Sequence, residues 1–84
     1  MDEKKILNAM EKALLHIDWY YSHNYSDVIK LKEVQYGLGV IYGYGEILRE
    51  INYDSLLKFH EEHINDIKEY YGFCRKITKK YMEV

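Results

Sequence analysis

Proline is absent from this chain, and Cys74 is its only cysteine. Without proline or a glycine/serine-rich linker nothing divides the sequence, so we expect a single domain over residues 1–84. One cysteine excludes an intramolecular disulfide and a cysteine-based zinc site. A lone thiol fits a reducing compartment, and we therefore predict a cytoplasmic protein.

Long apolar runs and an excess of charge of one sign are also missing. A membrane span needs about 20 apolar residues, and the longest uncharged stretch here is much shorter. The formal net charge of −2 creates no strong field toward nucleic acid or an anionic membrane. The opening residues MDEKKILNAMEK lack the unbroken apolar core of a signal peptide. We expect a soluble protein whose partners include neither a membrane nor a nucleic acid.

Hydrophobic periodicity predicts an all-α fold, a bundle of three helices. In residues 2–22 apolar side chains recur at spacings of three and four, which is typical of an amphipathic helix. Residues 53–82 show the same pattern over a length of about 40 Å at 1.5 Å per residue. The apolar stripe predicted for this last helix consists of Leu56, Leu57, His60, Ile64, Ile67, Tyr70, Tyr71, Cys74, Ile77 and Tyr81.

Two short polar breaks separate the predicted helices, one at Ser22–Ser26 and one at Ile51–Asp54. Residues with short polar side chains stabilise helix starts, because their oxygen accepts a hydrogen bond from a free backbone N–H. The candidate helix caps at these breaks are Ser26 or Asp27 and Asn52 or Asp54.

The middle segment, residues 26–51, allows two interpretations. As a helix, it has two apolar seams on opposite sides. The first consists of Leu31, Val34, Leu38, Ile41, Gly45 and Leu48, and the second of Ile29, Tyr36, Val40, Tyr44, Ile47 and Ile51. As a β-hairpin, residues 34–45 alternate between large apolar side chains and Gln35 or glycine. We favour the helix, because the charged flanks continue a helical pattern and an isolated hairpin would have no other strand to pair with.

The centre of this helix, Tyr36–Gly45, reads YGLGVIYGYG and carries no charge. Each interior glycine costs about 1 kcal/mol relative to alanine, so four glycines need compensation from close packing. A helix that is apolar all round must be covered all round, and Gly39 and Gly43 form a GxxxG pair that permits close helix approach. We predict a homodimer joined through the middle helix, with an interface of Tyr36, Gly39, Val40, Gly43, Tyr44 and Ile47. The alternative is a monomer in which the tyrosines lie flat and their hydroxyls reach water.

Leu15 and Trp19 break the amphipathic pattern of the first helix, because they lie among its polar positions. Trp19 either covers the edge of the bundle beside the first loop or is an exposed anchor for another protein. Tryptophan is enriched at binding hot spots, and His23 lies one turn further along. We predict that Leu15, Trp19 and His23 form a partner-binding patch.

Residues with catalytic or metal-binding chemistry are few. His60 and His63 are separated by two glutamates, which does not match the HExxH zinc motif. Cys74 falls on an apolar stripe, where a thiol behaves as a small hydrophobe. We predict no catalytic site, metal or cofactor, and a function as a small protein–protein interaction module, a regulator or inhibitor that binds another protein's surface. The alternative is a small-molecule or metal-binding bundle that uses tyrosines and the histidines His60 and His63.

Overall fold

The chain folds into three α-helices in a computed structural model that describes residues 2–82. The helices are α1 (Glu3–Ser22), α2 (Asp27–Ile51) and α3 (Tyr53–Met82). The described residues contain no strand, so the predicted all-α fold is confirmed and the hairpin interpretation of residues 34–45 is wrong. Within residues 2–82 no helix is both long enough and apolar enough to cross a membrane.

Polar caps fix the helix boundaries within one residue of the predicted ones. Asp2 accepts a hydrogen bond from the Lys4 backbone N–H at 3.1 Å and starts α1. Ser26 accepts from the Ile29 N–H at 3.3 Å and starts α2. Asn52 ends α2 and its side chain accepts from the Ser55 N–H at 3.3 Å, so one residue serves two helices.

The core lies where α2 packs against both neighbours. Its α1 side consists of Ile6, Met10, Ala13, Leu14 and Ile17, all buried, whereas Tyr20, which the spacing also places on this stripe, is half-buried. The buried residues of α2 are Val34, Gly37, Leu38, Ile41, Gly45 and Leu48. They follow the predicted seam except at Leu31, which is half-buried, and add Gly37. Two helices packed along such continuous seams exclude water from both, and this apolar burial is the main stabilising contribution.

Gly37 sets the distance between α1 and α2. A Cβ atom built on Gly37 would lie 2.6 Å from Ile17 Cδ1 and 3.2 Å from the carbonyl oxygen of Ala13, and nearer still to Ile17 Cγ1. Contacts below 3 Å between carbon atoms are repulsive, so only glycine fits there without a shift of Ile17. No described glycine has a positive φ. Gly37 is therefore required by the limited space between the helices and not by its backbone conformation.

In contrast, α1 and α3 are held apart. No Cα atoms of these two helices lie within 8 Å of each other among the described residues. Side chains bridge the gap: the Ser55 hydroxyl donates to Glu3 at 3.0 Å, and Tyr21 packs edge-on against Tyr70 with ring centroids 5.2 Å apart. The consequence is a groove along the α1–α3 side of the bundle.

The apolar stripe predicted for α3 is partly wrong. The buried residues of α3 are Phe59, Ile67, Tyr70, Cys74 and Ile77. Phe59 is absent from the predicted stripe. Leu57, Tyr71 and Tyr81 are exposed, and so is His60. α3 packs closely against α2 alone. Its buried face is therefore narrower than the predicted stripe, which would fit a helix with two close neighbours.

Candidate functional site

The α1 patch, defined as Leu15, Trp19 and His23, lies on the outer side of α1. Leu15 is 70% exposed and Trp19 is 53% exposed, although both side chains are large and apolar. They are one helical turn apart and therefore lie side by side. Trp19 is thus exposed, and it also reaches the first loop, since its indole Nε1 lies 3.4 Å from the Tyr25 hydroxyl.

The indole of Trp19 is held in one orientation by its neighbours. His23 stacks on it with ring centroids 3.7 Å apart and an interplanar angle of 25°. His23 is itself fixed, because its Nδ1 donates to the Trp19 carbonyl oxygen at 2.7 Å. A side chain that is already ordered loses little conformational entropy when a partner covers it. The structure thus brings the three predicted residues together as one preorganised surface.

The second candidate surface is the outward side of α2, called here the α2 face. Tyr36 is 63% exposed. Around Gly39 and Gly43 the space is open, since no atom of the described residues outside their own stretch of helix lies within 4 Å of a Cβ built on either glycine. Val40 and Tyr44 are half-buried and pack partly against the core, so they lie at the edge of this face. The glycine and tyrosine segment is not enclosed by α1 and α3.

The orientation of Tyr36 on the α2 face depends on α1. His16 approaches the Tyr36 ring edge-on with centroids 5.5 Å apart, and its Nε2 lies 2.9 Å from a carboxylate oxygen of Glu33. This hydrogen bond joins α1 to α2 and keeps the imidazole beside the tyrosine. The exposed phenol is therefore supported from behind, as Trp19 is.

Three residues of the α2 face escaped the sequence interpretation. Tyr42 is 68% exposed and lines a groove of ≈ 420 Å³ together with Gly39 and Tyr71. Lys32 lies two helical turns before Gly39, and Glu50 lies two turns after Gly43. Both charged side chains are exposed and form no ion pair among the described residues. A helical wheel centred on the two glycines would have found all three.

The two histidines of α3 face different surroundings. His60 lines a cavity of ≈ 160 Å³ between α2 and α3, which is below the roughly 300–1,000 Å³ of typical ligand pockets. His63 lies in the groove between α1 and α3 and packs against Phe59, with ring centroids 4.6 Å apart. Within the described residues no group of three potential metal ligands converges. The structure therefore does not unite His60 and His63 in one site.

Burial acts on two side chains of α3 that could otherwise ionise. It raises the pKa of the Cys74 thiol, which keeps the sulfur protonated and weakly nucleophilic. Burial also raises the pKa of Tyr70 to about 12, and the carboxylates of Asp18, Asp66 and Glu69 add to this effect. The Tyr70 hydroxyl lies 3.5 Å from Asp18 Oδ1 and acts as a donor in the groove.

The raised pKa of Tyr70 predicts a loss of stability in alkali. The unfolded chain releases the phenolic proton near pH 10, whereas the folded chain holds it to about pH 12. The contribution of the Tyr70 phenol to the free energy of unfolding is therefore fully present below pH 10 and disappears as the pH rises toward 12. Urea midpoints of the Tyr70→Phe variant should fall less steeply over this range than those of the wild type. Tyr42→Phe, which removes an exposed hydroxyl, should keep the wild-type slope, and equal slopes for all three proteins would contradict the prediction.

Comparisons of the chain with known protein families, with curated proteins and with solved structures found no match. The surfaces of this chain offer large, ordered apolar side chains beside charged ones.

Proposed function

We propose that this protein is a protein–protein interaction module, a regulator or inhibitor that acts by covering part of another protein's surface. The observation that carries the proposal is the exposure of Leu15 and Trp19, side by side on an otherwise polar side of α1. Exposing two large apolar side chains to water is unfavourable, and a partner that buries them recovers this free energy. Because Cys74 is a free thiol, we place the protein in the cytosol.

A variant pair tests the α1 patch. In capture experiments from extracts of the source cell, Trp19→Ala should weaken binding of a specific partner by at least about fivefold, since truncating a hot-spot residue costs more than about 1 kcal/mol. Leu57→Ala is the matched control, because it truncates an exposed apolar side chain on α3. Both variants should unfold near the wild-type temperature. Unchanged capture by Trp19→Ala would remove Trp19 from the binding surface.

We further propose that two copies of the chain associate through the α2 face. Gly39 and Gly43 each lower the helix propensity. Among residues 2–82 no atom outside their own stretch of helix lies within 4 Å of a Cβ built on either, so no close packing offsets this cost. A second helix at this position would make close backbone contacts that larger side chains prevent. The predicted interface of Tyr36, Gly39, Val40, Gly43, Tyr44 and Ile47 then gains Tyr42 at its rim.

The charges on the α2 face favour an antiparallel pair. If the two α2 helices cross midway between Gly39 and Gly43, Lys32 of one copy lies opposite Glu50 of the other, and the arrangement repeats across the two-fold axis. A parallel pair would instead place Lys32 against Lys32 and Glu50 against Glu50. Like charges in opposition disfavour that orientation.

A further inference from the structure

The groove between α1 and α3, called here the α1–α3 groove, combines an apolar floor with acidic rims. Two adjoining cavities of ≈ 350 and ≈ 430 Å³ form it, and Glu11 lines both. The floor is formed by Leu7, Leu14, Phe59 and Tyr70. The carboxylates along its two sides are Glu3, Glu11, Asp18, Glu62 and Asp66.

The carboxylates of the groove are poorly compensated. Glu11, Glu62 and Asp66 take part in no ion pair within the part of the chain that the structure describes. Glu62 and Asp66 are four residues apart on α3, where like charges on one helix face destabilise it. Lys58 is the one lysine or arginine among the described lining residues. A cationic partner would relieve this repulsion, and an anionic one would increase it.

The α1–α3 groove runs along most of α1. Its two walls run parallel, since Glu3 bonds to Ser55 at one end and Asp18 approaches Tyr70 at the other. The Cα atoms of the two helices stay more than 8 Å apart throughout the described residues. From Glu3 to Asp18 the wall is about 22 Å long, which corresponds to about 16 helical residues.

We propose that the α1–α3 groove binds an amphipathic helix of another protein, whose narrow apolar stripe is flanked on both sides by lysine or arginine. This inference rests on the proposed protein-binding function and specifies the chemistry of the partner. Leu15 lies on the rim of the groove, so the bound helix also touches the α1 patch. The groove buries the apolar stripe, and the carboxylates on either side pair with the flanking cations.

A second copy of this chain does not supply such a helix. Its most basic segment is 75–81 in α3, and Ile77, the one aliphatic side chain there, is buried in the protein's own core. Placing this segment in a neighbour's groove would require unpacking of α3 from α2. The occupant is therefore a different protein.

A designed peptide tests the inference without knowledge of the natural partner. The probe is a synthetic amphipathic peptide of about 16 residues with leucines on one stripe and lysines on its flanks, and its twin carries glutamate in place of lysine. Titrations followed by amide NMR shifts give both the affinity and the residues contacted. The groove variant is Glu62→Gln with Asp66→Asn. Its control, Asp54→Asn with Glu61→Gln, removes the same charge from exposed positions of α3 outside the groove.

The lysine peptide should bind the wild type and the control alike, with shifts at Leu14, Leu15 and Tyr70. Binding should weaken at least about tenfold in the groove variant and should weaken further as salt is added. The glutamate twin should not bind. Equal affinity for the groove variant and the control, shifts confined to the α2 face, or no binding of the lysine peptide would each overturn the inference.

Capture experiments with the groove variant and Trp19→Ala distinguish an error about the groove from an error about the proposed function. If the groove variant captures the same cellular partner as the wild type while Trp19→Ala loses it, the interaction module stands and the α1–α3 groove is not its binding site. If neither variant changes capture, the α1 patch is excluded as well.

Discussion

Replacing Gly37 with alanine should destabilise the protein, although alanine is the better helix former. The new methyl group would overlap Ile17 and crowd the carbonyl oxygen of Ala13. Overpacking of this kind costs about 1–3 kcal/mol, whereas the gain in helix propensity is at most about 1 kcal/mol. We expect a net loss of about 1–2 kcal/mol in the free energy of unfolding, which lowers the melting temperature by about 4–16 °C in a domain of this size.

The physical reason for this result is the stiffness of the surroundings. Ile17 is fully buried and β-branched, so few alternative rotamers are open to it. The Ala13 oxygen belongs to the backbone of α1 and can move only with the helix. Relief of the clash therefore requires α1 and α2 to separate, which loosens the seam from Ile6 to Leu48.

Gly72→Ala on α3 is the matched control for Gly37→Ala. In the part of the chain that the structure describes, no atom outside the local helix lies within 4 Å of a Cβ built there. This variant should therefore gain about 0.5–1 kcal/mol from helix propensity and a less flexible unfolded chain. Urea or thermal unfolding of the two variants compares them directly. If Gly37→Ala were as stable as Gly72→Ala, the close approach of α1 and α2 at Gly37 would be wrong.

The double variant Gly39→Ala with Gly43→Ala should stabilise the isolated chain and disrupt its association. Within the described part of one chain the two methyl groups meet no atom outside their own stretch of helix, so helix propensity contributes about 1–2 kcal/mol in favour of folding. In the proposed pair, four added methyl groups lie where the two backbones meet and force them apart. Since overpacking costs about 1–3 kcal/mol per site, the dimer dissociation constant should rise by at least about tenfold.

The double variant should raise the stability of the isolated chain and weaken its association. These opposite effects distinguish the proposed dimer from a monomer. Unfolding measured well below the dissociation constant reports the stability of the chain, and sedimentation equilibrium at higher concentration reports the association. A monomeric protein would show only the gain in stability. An association that is unchanged by the double variant would exclude the GxxxG surface from the contact.

Helix positions and caps were predictable from the sequence because they depend on local chemistry. Ser26 and Asn52 are capping residues wherever a polar break precedes an apolar repeat, and both have that role here. The seams of α1 and α2 were equally visible, since each packs on a close neighbour. Periodicity did not distinguish a helix from a hairpin at 34–45. The helix was predicted because its charged flanks continue a helical pattern and no other strand was available for pairing.

The separation of α1 from α3 could not be predicted from periodicity. A period shows which side of a helix is apolar, but it does not show how close each neighbour comes. For this reason Leu57 and Tyr71 were placed on the apolar stripe of α3 although they are exposed, and the buried Phe59 was missed. The α1–α3 groove escaped notice for the same reason.

The glycines divide in a way that spacing alone did not show. Four of the five glycines lie in one uncharged segment. Gly37 fits against Ile17, while among the described residues no atom outside the local helix lies within 4 Å of a Cβ built on Gly39 or Gly43. These two glycines lie on an open side of α2, whereas Val40 and Tyr44 of the predicted interface are half-buried. Whether a second copy covers that side remains a prediction, and Lys32 with Glu50 now gives it a specific geometry.

Sedimentation equilibrium of a charge-reversal set tests the α2 face most directly. The set comprises the wild type, Lys32→Glu, Glu50→Lys and the variant that carries both changes. The antiparallel pair predicts that each single reversal weakens the dimer, because like charges then face each other twice, and that the double reversal restores it. A wild type that stays monomeric at tens of micromolar, or a double variant as weak as the single ones, would contradict the account.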